Sequence, residues 1–323
     1  MLRSLVLFLM LSASATAQEL RIITPSPADG YNINARMLAP YIAKYLPEKP
    51  TPIIQVVPGA FSLVAANHMY NVAPRDGNTI ATVYKHIPFV GVLGGSSVMF
   101  DPSKFAWIGS SADGRRDAVI LWTNRSESLE HFMSKELVLG AESGVSSSDS
   151  KFIKQSIGLN IKHVFGYVPS GSRLALERKE IDAVIFSLIG TKTQTQWTKP
   201  DSGIRALIQL GNGNNRHPDY SNVPTLAELL KNEKDRQILD IFETQYILLR
   251  PFIAPPNVPK TRIKELREAF VKAVNDNGYI EEAAKANIEI NLITGEQAEI
   301  IVSALANASP EILEEIRNLQ SEK

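Results

Sequence analysis

The chain has 323 residues, 34 lysines and arginines against 34 aspartates and glutamates, and no cysteine. The charge balance leaves no basic field for nucleic acid or an anionic membrane surface. The missing cysteines remove thiol nucleophiles, thiolate metal sites, disulfides and an N-terminal lipid anchor together.

The N-terminus reads as an export signal, with Arg3, an apolar core from Leu5 to Leu11, and Ala15-Thr16-Ala17 before Gln18. That core is too short to span a bilayer. Residues 1–17 are expected to be cleaved near Ala17, leaving a periplasmic chain of about three hundred residues, enough for two domains.

A strand is predicted over 20–24, followed at once by Pro25-Ser26-Pro27-Ala28-Asp29-Gly30. A helix follows over 32–46, which Pro40 bends or splits. Strand 53–57 leads through Pro58-Gly59 into helix 62–70, and Pro74-Arg75-Asp76-Gly77 turns the chain into strand 79–83. The alternation predicts right-handed βαβ units in a mainly parallel sheet.

The pattern restarts with strands over 118–122 and 137–140, a helix over 150–157, and a second βαβ unit across 163–186. Strand 204–210, an extended apolar run over 247–254, and helices over 261–275, 279–286 and 296–306 complete the layout. The whole predicts two α/β lobes, 18–120 plus 248–323 and 121–247, joined by two crossing strands.

Catalysis needs a nucleophile, base or metal. The histidines are His68, His86, His131, His163 and His217, and none lies three or four residues from another or beside a carboxylate cluster. There is no glycine-x-serine-x-glycine elbow. The glycine pairs at 91–95 and 211–213 lack the Lys-Ser/Thr of a phosphate loop. A hydrolase built on Asp29 or Asp149 would need a base or metal that the sequence does not offer.

Binding fits better. In open α/β sheets ligands sit outside the carboxyl ends of strands, where helix N-termini favour anions. The loop 26–32 and the loop 140–149 both follow strands. Ser146, Ser147 and Ser148 offer hydroxyl and amide donors for a carboxylate, or serve as ordinary helix caps. The turn holding Tyr167, Pro169 and Ser170 lines the same region or merely connects, and Ser187 ends a nearby strand.

Four motifs in order resemble those of the periplasmic solute receptors of tripartite tricarboxylate transporters, the Bug family. They are Pro58-Gly59-Ala60, the run Ala73-Pro74-Arg75-Asp76-Gly77-Asn78-Thr79, Val223-Pro224-Thr225 with Glu228, and Ala254-Pro255-Pro256-Asn257-Val258-Pro259. The resemblance covers nearly the whole chain after the signal. It implies a two-lobed periplasmic binding protein fold of the type II kind, closing on a small organic acid. Such ligands are commonly di- or tricarboxylates, sometimes aromatic acids or amino acids.

The resemblance also implies delivery to the membrane subunits of such a transporter, action as a monomer, and no cofactor or metal. A sensor presenting its bound state to a signalling receptor would share this fold and pocket. The implied ligand positions are Ser26, Ala28, Asp29, Gly30, Tyr31, Asn32 and Tyr84, then Ser143, Ser146, Ser147, Ser148 and Asp149. Tyr167, Pro169, Ser170 and Ser187 line the far side. The chain departs from the family in its first loop, where Ala28-Asp29 and Asn32 replace two glycines and an aspartate. Asp29 either repels an anion there or hydrogen-bonds the loop to itself. Tyr31 and Tyr84 narrow the pocket, stack on an aromatic ring, or pack into the core.

Overall fold

The computed structural model describes residues 18–114, 118–141, 148–167, 169–188, 191–192, 195–210 and 216–321. The expected signal segment lies outside them. The first part of the chain forms β1 (Glu19–Thr24), α1 (Gly30–Tyr45), β2 (Thr51–Val56), α2 (Leu63–Asn71), β3 (Thr79–Thr82), α3 (Ile87–Leu93) and β4 (Ala106–Ser110). The middle forms β5 (Val119–Thr123), α4 (His131–Ser134), β6 (Leu137–Ala141), α5 (Ser148–Ile157), β7 (Ile161–Phe165), α6 (Pro169–Glu177), β8 (Ala183–Ser187) and β9 (Arg205–Leu210). The last part forms α7 (Leu226–Leu229), α8 (Glu233–Ile247), β10 (Pro251–Ala254), α9 (Lys260–Val274), α10 (Asn277–Lys285), β11 (Ile293–Thr294), α11 (Gly295–Ala306) and α12 (Pro310–Ser321).

Two sheets result, ordered β11-β4-β10-β3-β1-β2 and β7-β6-β8-β5-β9. Both are mixed, which corrects the expectation of mainly parallel sheets. Strands β1, β2 and β3 run parallel, as do β6, β7 and β8, but β10 enters antiparallel between β3 and β4, and β5 enters antiparallel between β8 and β9. Those two are the strands that follow the crossings between sheets, so each arrives from the opposite end.

The central strands of each sheet are buried on both faces, which is why they read as apolar runs. Leu20 and Ile22 join the core under α1 and α9, while Ile23 joins the core under α2 and α11. In β5, Val119 and Leu121 face α5, α8, α3 and α12, and Ile120 and Trp122 face α6. Helix α1 runs unbroken through Pro40, where loss of a backbone bond costs about 3 kcal/mol. Packing of Leu38, Ala39 and Ile42 on the first sheet holds it together.

The crossings are shorter than expected. Strand β5 lies wholly in the second sheet, and the run 247–254 is split between the end of α8 and β10. Between them the two crossing segments pair antiparallel: Leu249 N–H donates to Ala112 C=O at 3.2 Å, Ser111 N–H to Arg250 C=O at 3.3 Å, and Asp113 bridges Leu248. Gly114 is needed there, since a Cβ would lie 1.8 Å from the Tyr246 carbonyl oxygen. Beneath them Tyr279 OH donates to Asn34 Oδ1 at 2.7 Å, and Asn34 Nδ2 to Ser111 Oγ at 3.1 Å, tying α1 and α10 to the crossing.

Candidate functional site

Strands β1, β2 and β3 are parallel and end side by side, so the loops that follow them converge. With Tyr84 they line an open pocket of ≈ 300 Å³, formed by Pro25, Ser26, Pro27, Pro58 to Ser62, and Tyr84.

Asp29 starts α1. Its Oδ1 accepts from Asn32 N–H at 2.9 Å, an ordinary N-cap, and its Oδ2 accepts from Tyr84 OH at 2.5 Å. Of the two roles open to it in the sequence, the loop-bonding one is formed. The chain's own carboxylate thus occupies the positive end of α1. A second carboxylate about 4 Å away would be opposed by ~4 kcal/mol at the effective dielectric of a protein surface. Burial and Asp29 together hold the Tyr84 phenol well above its usual range, so it remains a donor.

Asn32 is buried and bonded on both its amide atoms by its neighbours. Its Nδ2 donates to Thr24 Oγ1 at 2.8 Å and its Oδ1 accepts from Arg36 Nε at 2.8 Å, fixing the loop to strand and helix. Tyr31 lies under Tyr84, with ring centroids 4.7 Å apart, and its hydroxyl accepts from Lys85 N–H at 3.2 Å. Burial pushes its phenol up to about 12. Ser26 and Ala28 are on the loop's open side, and Gly30 has open space beside it.

The loop after β2 is strained. Ala60, Phe61 and Ser62 have φ of 43°, 49° and 73°, three successive residues in the left-handed region, each at a cost of about 1–2 kcal/mol. Two bonds hold it: Tyr84 N–H donates to Ser62 Oγ at 3.3 Å, and His86 Nε2–H donates to Phe61 C=O at 3.0 Å. The latter sets the His86 tautomer, and burial lowers the ring to about 4, so it is neutral near pH 7. The Phe61 side chain stays 63% exposed at the pocket rim.

Opposite stands the start of α5. Asp149 Oδ2 accepts a short bond from Tyr246 OH, and Oδ1 accepts from Gln245 Nε2 at 3.4 Å. Burial raises Asp149 to about 6 despite these donors and the nearby Lys85 ammonium. Lys85, next to Tyr84, reaches across so that its Nζ lies 4.3 Å from the Tyr246 ring centroid. Groups of the first and second sheets meet there.

Asp29, Tyr31 and Tyr84 are brought together, and Asp149 faces them through Lys85. Ser148 is buried, with its Oγ lacking a hydrogen-bond partner; Thr82 Oγ1, at the end of β3, is likewise buried and unpartnered. Tyr167 is half-buried and packs with the α6 core beside Gly140. The Ser187 C=O accepts from Thr191 OH at 2.8 Å. Ser143, Ser146 and Ser147 lie outside the described residues, as do the side chains of Pro169 and Ser170 at the start of α6.

Sequence reading missed Phe61, Lys85, His86 and Tyr246. Lys85 and His86 could have been found as the continuation of the loop that Tyr84 opens. Tyr246 lies just before the apolar run read as extended, 97 residues from Asp149, with no local signal. Among the described residues no three of His, Asp and Glu group to hold a metal ion, and no helix is long and apolar enough to cross a membrane.

No family model matches the chain, and no curated protein matches it. Solved structures do. A TctC solute-binding protein from Polaromonas, without ligand, superposes with a TM-score of 0.68 at 15% identity, covering 94% of this chain and 99% of that one. MatC from Rhodopseudomonas palustris with bound malate gives 0.62 at 15% identity, covering 94% and 99%. A protein from R. palustris with adipate gives 0.64 at 17%, covering 95% and 98%. The periplasmic binding protein BugD gives 0.61 at 16%, covering 94% and 98%. At these identities the likeness is one of fold. The chain has the two-lobed α/β fold of periplasmic binding proteins, and these structures are of the kind to which its four motifs point.

Proposed function

We propose that this chain is an extracytoplasmic solute receptor of the tripartite tricarboxylate transporter type. It captures a small organic acid between its two sheets and delivers it to the transporter's membrane subunits. The observation that carries the reading is the convergence of the loops after β1, β2 and β3 on one pocket. Tyr84 lines this pocket, and the next residue, Lys85, extends to the Tyr246 ring and acts electrostatically on Asp149. Malate and adipate in MatC and the second R. palustris protein support a carboxylate as ligand.

On this reading the chain is exported, loses its signal near Ala17, and works in the periplasm as a monomer. The lobes built on the two sheets close about the paired crossing segments, where a few backbone bonds absorb the motion. Thermal-shift measurements with a panel of organic acids, sugars and divalent metals test the proposal. Stabilisation by at least one organic acid is expected. Stabilisation by sugars or metals with none by any acid would overturn it.

A further inference from the structure

A second groove, of ≈ 370 Å³, runs along β7, the outermost strand of the second sheet. Ile161, Lys162, His163 and Phe165 of β7 line it, with Lys151 and Lys154 from α5 and Glu136 just before β6. It shares no residue with the pocket at the ends of β1, β2 and β3.

Its aromatic wall is held in place. His163 Nε2 and Ser150 Oγ lie 2.9 Å apart, bonding β7 to α5, and the His163 ring stacks on Phe165 with centroids 5.5 Å apart and planes 5° apart. Lys151 Nζ lies 5.8 Å from the Phe165 ring centroid, and Phe165 is 42% exposed. Burial and the ammonium groups of Lys154 and Lys151 lower His163 to about 4, so it is neutral near pH 7. The groove therefore carries three ammonium groups against one carboxylate, Glu136, which lies 3.7 Å from Lys162 in an exposed pair.

Among the described strands only β6 pairs with β7, leaving its outer edge open. Leu137 N–H donates to Asn160 C=O, and Ile161 N–H turns instead to Leu159 C=O. Bonding residues alternate in a parallel ladder, so the N–H and C=O groups of His163 and Phe165 face away from β6. Such an edge is a template for a further strand. The groove follows β7 for about 13 Å, the reach of an extended peptide and too long for one small anion. A second copy of this chain is a poor occupant, because pairing two β7 edges would set the same lysines against each other.

We infer that this edge docks an acidic, extended segment of a partner protein, which adds a strand beside β7 and sets its carboxylates against Lys151, Lys154 and Lys162. The groove is separate from the ligand pocket, so this docking stands whether or not an organic acid binds between the sheets.

Fluorescence anisotropy at low ionic strength tests it with a labelled hexapeptide alternating glutamate and valine, and with its counterpart carrying lysine for glutamate. The wild type is expected to bind the acidic peptide at least about tenfold tighter than the basic one, and less tightly as salt rises. Lys154 and Lys162 are exposed, so the double variant Lys154→Glu, Lys162→Glu should melt as the wild type does and lose about tenfold in affinity. Phe165→Pro removes an outward donor and spares the bonds to β6, and should abolish binding. Hydrogen exchange at the His163 and Phe165 amides should slow when the acidic peptide is bound. No binding of that peptide, equal affinity in the double variant, or unchanged exchange at both amides would overturn the inference. Inorganic pyrophosphate bound more tightly than the peptide, at the same lysines, would overturn it in favour of a small-anion site.

Discussion

Tyr84 donates its phenolic proton to Asp29 at 2.5 Å, closing the end of β3 onto the start of α1. Two loops that would otherwise move apart are thereby held as one wall. The carboxylate that begins α1 serves the chain itself and is not offered to a ligand.

Removing that proton donor tests the wall directly. Tyr84→Phe loses a hydrogen bond to a charged group, a loss of about 1.5–3 kcal/mol. Asp29→Asn should cost less, because asparagine still caps the helix. Urea denaturation of the two single variants and the double variant should show coupling of at least ~0.5 kcal/mol between the positions. Additive losses would mean that the bond contributes nothing to the fold.

Asp149 and His86 give opposite pH dependences. Burial raises Asp149 from 3.8 to about 6, so its contribution to stability is complete below pH 4 and is lost as pH rises through about 6. The contribution is about 3 kcal/mol at most. Burial lowers His86 from 6.5 to about 4, so its contribution is present above pH 6.5 and lost as pH falls through 4. Asp149→Asn should therefore raise Tm at pH 7 relative to the wild type and leave it nearly unchanged at pH 4. Thermal melts across that range check the sign, and a ring-proton NMR titration of His86 should find it neutral at pH 6.

Much of this architecture is legible in the sequence because burial on both faces of the central strands leaves apolar runs, as at Ile22 to Ile23 and Val119 to Trp122. Loop bonding by Asp29 is one of the two roles the sequence leaves open, and it becomes a helix cap because α1 starts at Gly30, two residues earlier than expected. The antiparallel entry of β10 is not legible, since strand direction depends on which end of the sheet the chain returns to. Nor is the partner of Asp149. Tyr246 is set against it by the packing of α8, a helix for which the sequence reading predicts no element. The strain at Phe61 is invisible too, because a backbone angle imposed by neighbouring loops leaves no mark on residue type.

Gly114 is the tightest point of the crossing. In Gly114→Ala the new Cβ meets the Tyr246 carbonyl at 1.8 Å, a contact with backbone that no side-chain rotation relieves. Overpacking of this kind costs about 1–3 kcal/mol. A lowered midpoint in urea is expected. Wild-type stability would show that the crossing segments yield freely.

The central claim is that an organic acid occupies the space between the two sheets. Native mass spectrometry of the chain purified from a periplasmic extract, followed by release and identification of the bound small molecule, tests it most directly. The account predicts a one-to-one complex whose released ligand is a small carboxylic acid. A released sugar or metal ion would contradict it.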